Sequence, residues 1–145
     1  MMSLQFPVIS MQPRKQIASP QLDMFRSRLA HILDHGHPLY RLSGLIGWDA
    51  FEREFGELYS EEGRPGIPIR MMVGLTYLGH AFNTSDEETV RRWVENPYHQ
   101  YFCGEEHFRH AFPIDPSSLS RWRKRIGTQG AELILKLTVT VGVAS

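Results

Sequence analysis

Residues 68–82 read PIRMMVGLTYLGHAF and predict a buried helix at the centre of the domain. Proline suits the first turn of a helix, where its missing N–H group would have no partner. The apolar residues behind it recur at helical spacing and cover much of the circumference, which is typical of a buried helix. The residues expected to point inward are Ile69, Met72, Val73, Leu75, Leu78 and Phe82.

Further helices are predicted on both sides of this central one. Upstream, one helix opens at Ser19-Pro20, and Asp49 caps a second whose apolar face includes Phe51 and Phe55. Downstream, the SDEE sequence at 85–88 is a capping box, in which serine and glutamate side chains each accept a backbone N–H. Since no βαβ pattern occurs, we predict an all-α fold, a compact multi-helix domain.

Three regions follow from this pattern. Residues 1–18 are predicted to be a flexible N-terminal arm because two prolines interrupt them, and residues 19–130 form the helical domain. Residues 131–145 are an apolar segment that starts as a helix, although its alternating threonines and valines fit a strand equally well towards the end. Because an uncovered apolar segment favours association, we expect a truncated chain whose missing part covers it.

Charge and composition exclude several classes of protein. The 145 residues carry 16 basic and 16 acidic side chains, which argues against a protein that coats DNA nonspecifically. No apolar run approaches the ~20 residues of a membrane span. The single cysteine forms no internal disulfide, so nothing indicates an oxidising compartment. We expect a cytoplasmic protein that does not bind membranes.

Residues 115–127 read DPSSLSRWRKRIG and carry the strongest functional signal. Asp115 caps this helix, and Leu119, Trp122 and Ile126 form a narrow apolar face. Hydroxyl groups near the helix start can bind phosphate, and arginine can bind guanine through two hydrogen bonds. A solvated basic face explains the same spacing equally well. The candidate DNA-binding residues are Ser117, Ser118, Ser120, Arg121, Arg123, Lys124 and Arg125.

The helix predicted at 85–95 could position this basic helix on DNA. About 20 residues separate the two, however, whereas a standard helix-turn-helix motif has a turn of about 3–4 residues. The arrangement therefore predicts a helix-turn-helix-like DNA-binding part within the all-α domain, as an extended version of the motif.

The sequence offers no convincing metal site or catalytic site. Neither of its two small histidine clusters matches the spacing of a paired zinc motif. The sequence also lacks a G-x-S-x-G motif and a phosphate-binding glycine loop, and its carboxylates fit helix caps better than a two-metal site. We expect no catalytic residue, no bound metal and no cofactor in this chain. The clusters comprise Cys103, His107 and His110, and His31, His35 and His37.

Three sequence blocks together resemble a known family. They read GRPGIPIRMMVGLTYL at 63–78, RRWVENPYHQYFCGE at 91–105 and DPSSLSRWRKRIG at 115–127. Their order and spacing resemble the N-terminal domain of bacterial DDE insertion-sequence transposases of the insertion sequence five type. The resemblance runs from about Pro38 to Gly127.

This resemblance implies a DNA-binding role without catalysis. Members of the family act on double-stranded DNA with short terminal inverted repeats, which their N-terminal helical domain is thought to bind. Their catalytic Asp-Asp-Glu residues hold two Mg²⁺ ions in a later RNase H-like domain. The resemblance places the first of those aspartates beyond the end of this chain, so we expect a transposase fragment that is inactive by itself.

Two other functions remain open at this point. The chain could be a protein-interaction module, with the aromatic cluster of Tyr98, Tyr101 and Phe102 and the C-terminal apolar segment forming a dimer or inter-domain surface. Self-association through that segment is also compatible with DNA binding. A stand-alone metal-dependent nuclease is a third hypothesis, for which we expect no activity.

Overall fold

A computed structural model describes residues 27–60 and 67–144, with side chains for 27–56 and 67–139. Within these ranges the chain forms seven helices and no strand, which confirms the all-α prediction. The predicted arm and the Ser19-Pro20 helix start lie outside the described residues. The helices are α1 (Leu29–Ile32), α2 (Pro38–Leu45), α3 (Trp48–Ser60), α4 (Ile69–Ala81), α5 (Asp86–Glu95), α6 (Pro97–Phe102) and α7 (Ser117–Ala144).

Helix α4 is the central helix, as predicted. It packs against α3, α5 and α7, and it is apolar on nearly every side. Phe82 is a correction, because its side chain is 45% exposed and stacks on His99 with 5.4 Å between ring centroids. It is the C-cap of α4, where helical spacing no longer sets the direction of a side chain. The predicted inward residues that are buried are Ile69, Met72, Val73, Leu75 and Leu78.

The lone cysteine is a core residue between α4 and α6. Cys103 is buried, and burial raises the pKa of its thiol. A Cβ atom on Gly74 would lie 2.7 Å from the Cys103 Sγ, so glycine allows the two chain segments to approach closely here. These contacts confirm that Cys103 fills the core as a small apolar side chain.

The starts of two predicted helices differ in detail from expectation. Helix α3 begins at Trp48, so Asp49 lies in its first turn rather than at the cap. At α5, the Ser85 Oγ accepts the Glu88 backbone N–H at 3.1 Å, which confirms half of the capping box. The other half is wrong, because the Glu88 carboxylate accepts hydrogen bonds from Arg91 and Arg92 instead. Those bonds, led by Arg91, lower the Glu88 pKa to about 2, as expected when charged donors compete with a backbone N–H.

Helix α7 has two parts separated by a kink at Gly127. Gly127 has a φ of 70° and a ψ of −176°, a conformation that essentially only glycine adopts. The predicted interruption at this residue is confirmed. The chain then continues as a helix to Ala144, so the strand alternative is wrong. Although α7 spans 28 residues, neither it nor any other helix in the described ranges is long and apolar enough to cross a membrane.

The domain itself covers part of the C-terminal apolar segment. Ile134 and Thr138 are buried, and Leu133 and Leu137 pack against the core. Val139 differs, with 58% of its side chain exposed. One side of this segment therefore belongs to the domain core.

Candidate nucleic-acid interface

The basic helix is the first part of α7, and its start is fixed as the sequence predicts. The Asp115 Oδ1 accepts the Ser117 backbone N–H at 3.0 Å, which satisfies one of the free donors at a helix N-terminus. This hydrogen bond is the main reason that the Asp115 pKa is lowered. The cap thus fixes where the helix begins.

The apolar side of this helix is buried against the core. Leu119, Trp122 and Ile126 are all buried, and only 3% of Trp122 is exposed. The Trp122 Nε1 donates to the Thr76 Oγ1 at 3.1 Å, and its ring meets Phe55 edge-on with centroids 5.4 Å apart. The indole therefore faces inward with its N–H group satisfied, as the spacing predicts.

Three cations share the outward side of the helix. Residues three or four apart lie on one face, which brings Arg121, Lys124 and Arg125 together beyond Ser117 and Ser118. All three cations are exposed. Arg121 donates to the Ser117 Oγ at 3.2 Å and to the Ser118 Oγ at 3.1 Å. Because hydroxyls are neutral acceptors, these bonds orient the Arg121 guanidinium without cancelling its charge.

Arg123 is paired with an acidic residue of another helix. Its Nη1 lies 2.7 Å from the Asp86 Oδ1 and its Nη2 lies 2.9 Å from the Asp86 Oδ2. These hydrogen bonds raise the Arg123 pKa. The structure thus separates this predicted DNA-binding residue from the outward cations and joins it to the start of α5.

Ser118 and Ser120 are both half-buried, and Ser118 is the one that accepts a hydrogen bond from Arg121. We therefore group the three exposed outward cations with the two serines that accept from Arg121, and Ser120 and Arg123 stay outside this group. The group, called here the basic face, comprises Ser117, Ser118, Arg121, Lys124 and Arg125.

A buried glutamine that sequence reasoning missed orders the connection between α5 and α7. The Gln100 Nε2 donates to the Trp93 carbonyl at 3.1 Å and to the Arg109 carbonyl at 2.8 Å. Its Oε1 accepts the Arg109 backbone N–H at 2.8 Å. The only sequence signal for this role was the position of Gln100 within the 91–105 block, which does not indicate a structural function.

Arg70 is a second missed residue, and its bonding argues for a structural role. Its guanidinium donates to the Ser43 Oγ at 2.7 Å and to the Phe102 carbonyl at 3.2 Å, and it lies 4.4 Å from the centre of the Trp48 ring. Burial lowers its pKa. Arg70 therefore holds α2, α4 and the end of α6 together.

The histidine clusters do not come together as ligand sets. His35 stacks on Tyr40, and His37 stacks on Tyr98, with centroids 4.3 Å and 3.8 Å apart. Cys103 is buried in the core. Among the described side chains, no group of three or more His, Cys, Asp or Glu could hold a metal ion.

The predicted aromatic interaction surface is mostly occupied by contacts within the chain. Phe102 is fully buried, Tyr98 stacks on His37, and Tyr101 stacks on Tyr40 with centroids 4.6 Å apart. These rings therefore pack within the domain and join α6 to α2.

The chain is similar to a known protein family and to a protein of known sequence. A family model described as "Transposase domain (DUF772)" matches residues 27–125, more than half of the chain. A Rhizobium meliloti protein described as "Uncharacterized protein ORF8 in nfe locus" is 52% identical over 122 residues. The match covers 84% of this chain but 59% of that protein's length. No solved structure matches.

Proposed function

Because the chain belongs to the family described as Transposase domain (DUF772), we propose that it binds the ends of a transposable element. The proposed ligand is double-stranded DNA carrying the terminal inverted repeats of an insertion sequence of the insertion sequence five type. Binding takes place in the bacterial cytoplasm. The chain thereby serves transposition by marking where the element begins and ends.

One observation carries this proposal. The basic face presents three exposed cations and two serine hydroxyls on a helix whose Trp122 is buried in the core. Phosphate attracts such cations because each contact releases condensed counterions, and arginine can also read guanine in the major groove. A rigid helix with its apolar side fixed on a core suits insertion into that groove.

The first part of α7, called here the reading helix, is proposed to enter the major groove, and α5 is proposed to position it there. Helix α5 contacts α7, and the arrangement supports an extended helix-turn-helix in which α5 crosses the DNA backbone. The segment between the two helices is longer than the turn of a standard motif, and the hydrogen bonds of Gln100 order part of it.

Strand cleavage is assigned to another part of the transposase. The resemblance to DDE transposases implies an Asp-Asp-Glu site with Mg²⁺ beyond the three matched blocks. We therefore propose a binding role without catalysis for this chain. Self-association through the C-terminal apolar segment stays a prediction, which the exposure of Val139 supports.

The proposal predicts that the protein distinguishes an element end from other DNA. Binding would be measured by fluorescence anisotropy with a duplex carrying the inverted repeat that flanks the gene. A duplex of equal length and scrambled sequence is the control. We expect the repeat to bind about 10³-fold more tightly or better, as specific sites do. Equal affinities would refute repeat recognition, and no binding to either duplex at low salt would refute DNA binding altogether.

A further inference from the structure

We propose that Arg123 is a positioning residue, which holds the reading helix at a fixed rotation and does not itself contact DNA. This inference rests on the proposed function, because it concerns how the basic face is presented to the same ligand. In this proposal Arg121, Lys124 and Arg125 contact the DNA. Asp86 influences DNA binding without touching the DNA, because it holds Arg123.

The geometry of the pair supports this role. Both terminal nitrogens of Arg123 are committed to the two oxygens of one carboxylate, at 2.7 Å and 2.9 Å. Such paired hydrogen bonds fix orientation as well as adding energy. The charges also cancel locally, unlike those of Arg121, whose acceptors are neutral hydroxyls.

The placement of the pair explains how it sets the rotation of α7. Successive residues on a helix point about 100° apart, since there are 3.6 residues per turn. Trp122 is bound to Thr76 of α4, and the next residue, Arg123, is bound to Asp86 of α5. Leu119, Trp122 and Ile126 hold one side of the helix on the core, and the Arg123–Asp86 pair adds a polar contact to a second helix, which further restricts rotation about the helix axis.

A direct phosphate contact by Arg123 conflicts with the same geometry. The Asp86 carboxylate holds two of the five N–H donors of the guanidinium, so a phosphate would have to displace this carboxylate or bind through the remaining donors at its side. The carboxylate would then lie beside the phosphate, where like charges repel. A cation paired in this way adds little net attraction for DNA.

Methionine and asparagine variants distinguish a residue that positions the helix from a residue that contacts DNA. Arg123→Met, Asp86→Asn and the double variant would be compared with Lys124→Met, which removes the neighbouring exposed cation. Affinity for the repeat duplex and for the scrambled duplex would be measured across a range of salt concentrations. Circular dichroism melts would confirm that each variant is folded.

We expect Arg123→Met to leave the salt slope unchanged while reducing the ratio of repeat to scrambled affinity about tenfold. Asp86→Asn should reduce the ratio equally, and the double variant should lose no more than either single one. Lys124→Met should instead lower the salt slope by about one. A slope lowered by one in Arg123→Met, or tighter binding by Asp86→Asn, would overturn the positioning role alone. Failure of the parent protein to bind DNA would overturn the proposed function as well.

Discussion

Replacing Trp122 with alanine should lower the free energy of unfolding by about 3–5 kcal/mol, the usual cost of truncating a large buried aromatic. Trp122 is 3% exposed and packs on Phe55, and its indole N–H donates a hydrogen bond to the Thr76 hydroxyl. Its removal leaves a cavity under the basic face and takes away the donor to the Thr76 hydroxyl, which keeps only its own bond to the Met72 carbonyl. Urea unfolding followed by circular dichroism measures the effect.

Trp122→Phe is the matched control for this prediction. Phenylalanine retains an aromatic ring but cannot donate to Thr76, so we expect a smaller loss, about 1–2 kcal/mol. A loss below about 1 kcal/mol for the alanine variant would contradict the burial of the indole and its support of the helix.

Replacing Gln100 with leucine should cost about 3 kcal/mol of stability. Leucine has a similar size, but it leaves the Arg109 N–H and the carbonyls of Trp93 and Arg109 without their partner. A buried polar group that loses its hydrogen bond costs about 1–3 kcal/mol. The segment before α7 should also loosen, which hydrogen exchange at the Arg109 amide would detect.

Gln129→Leu is the control for that experiment, because Gln129 is exposed on α7. Substitutions on an exposed surface usually change stability by less than about 0.5 kcal/mol. If both leucine variants unfolded at the same urea concentration as the parent protein, the structural role of Gln100 would be refuted.

Local signals in the sequence were enough to predict most helices and one face of the candidate site. The apolar spacing of α4 and the Ser85 and Asp115 caps depend on residues within a turn or two of each other. For the same reason the inward direction of Trp122 could be predicted, since it follows from the spacing of Leu119, Trp122 and Ile126 along one helix.

Contacts between distant parts of the chain could not be predicted in this way. Helical spacing indicates which side of α7 is polar, but it does not indicate that Asp86, 37 residues away in sequence, accepts from Arg123. The hydrogen bonds of Gln100 and Arg70 could not be predicted for the same reason, because their acceptors come from other elements of the fold. Phe82 was misplaced because the helix ends before it.

The salt dependence of DNA binding tests the central claim most directly. A variant with Arg121, Lys124 and Arg125 changed to alanine would be compared with one in which Arg41, Arg53 and Lys136, exposed elsewhere, are changed to alanine. Both lose three positive charges. If the basic face contacts phosphate, the first variant should lower the slope of log K against log salt by about three, and the second should leave it nearly unchanged. Equal slopes for the two variants would contradict the account.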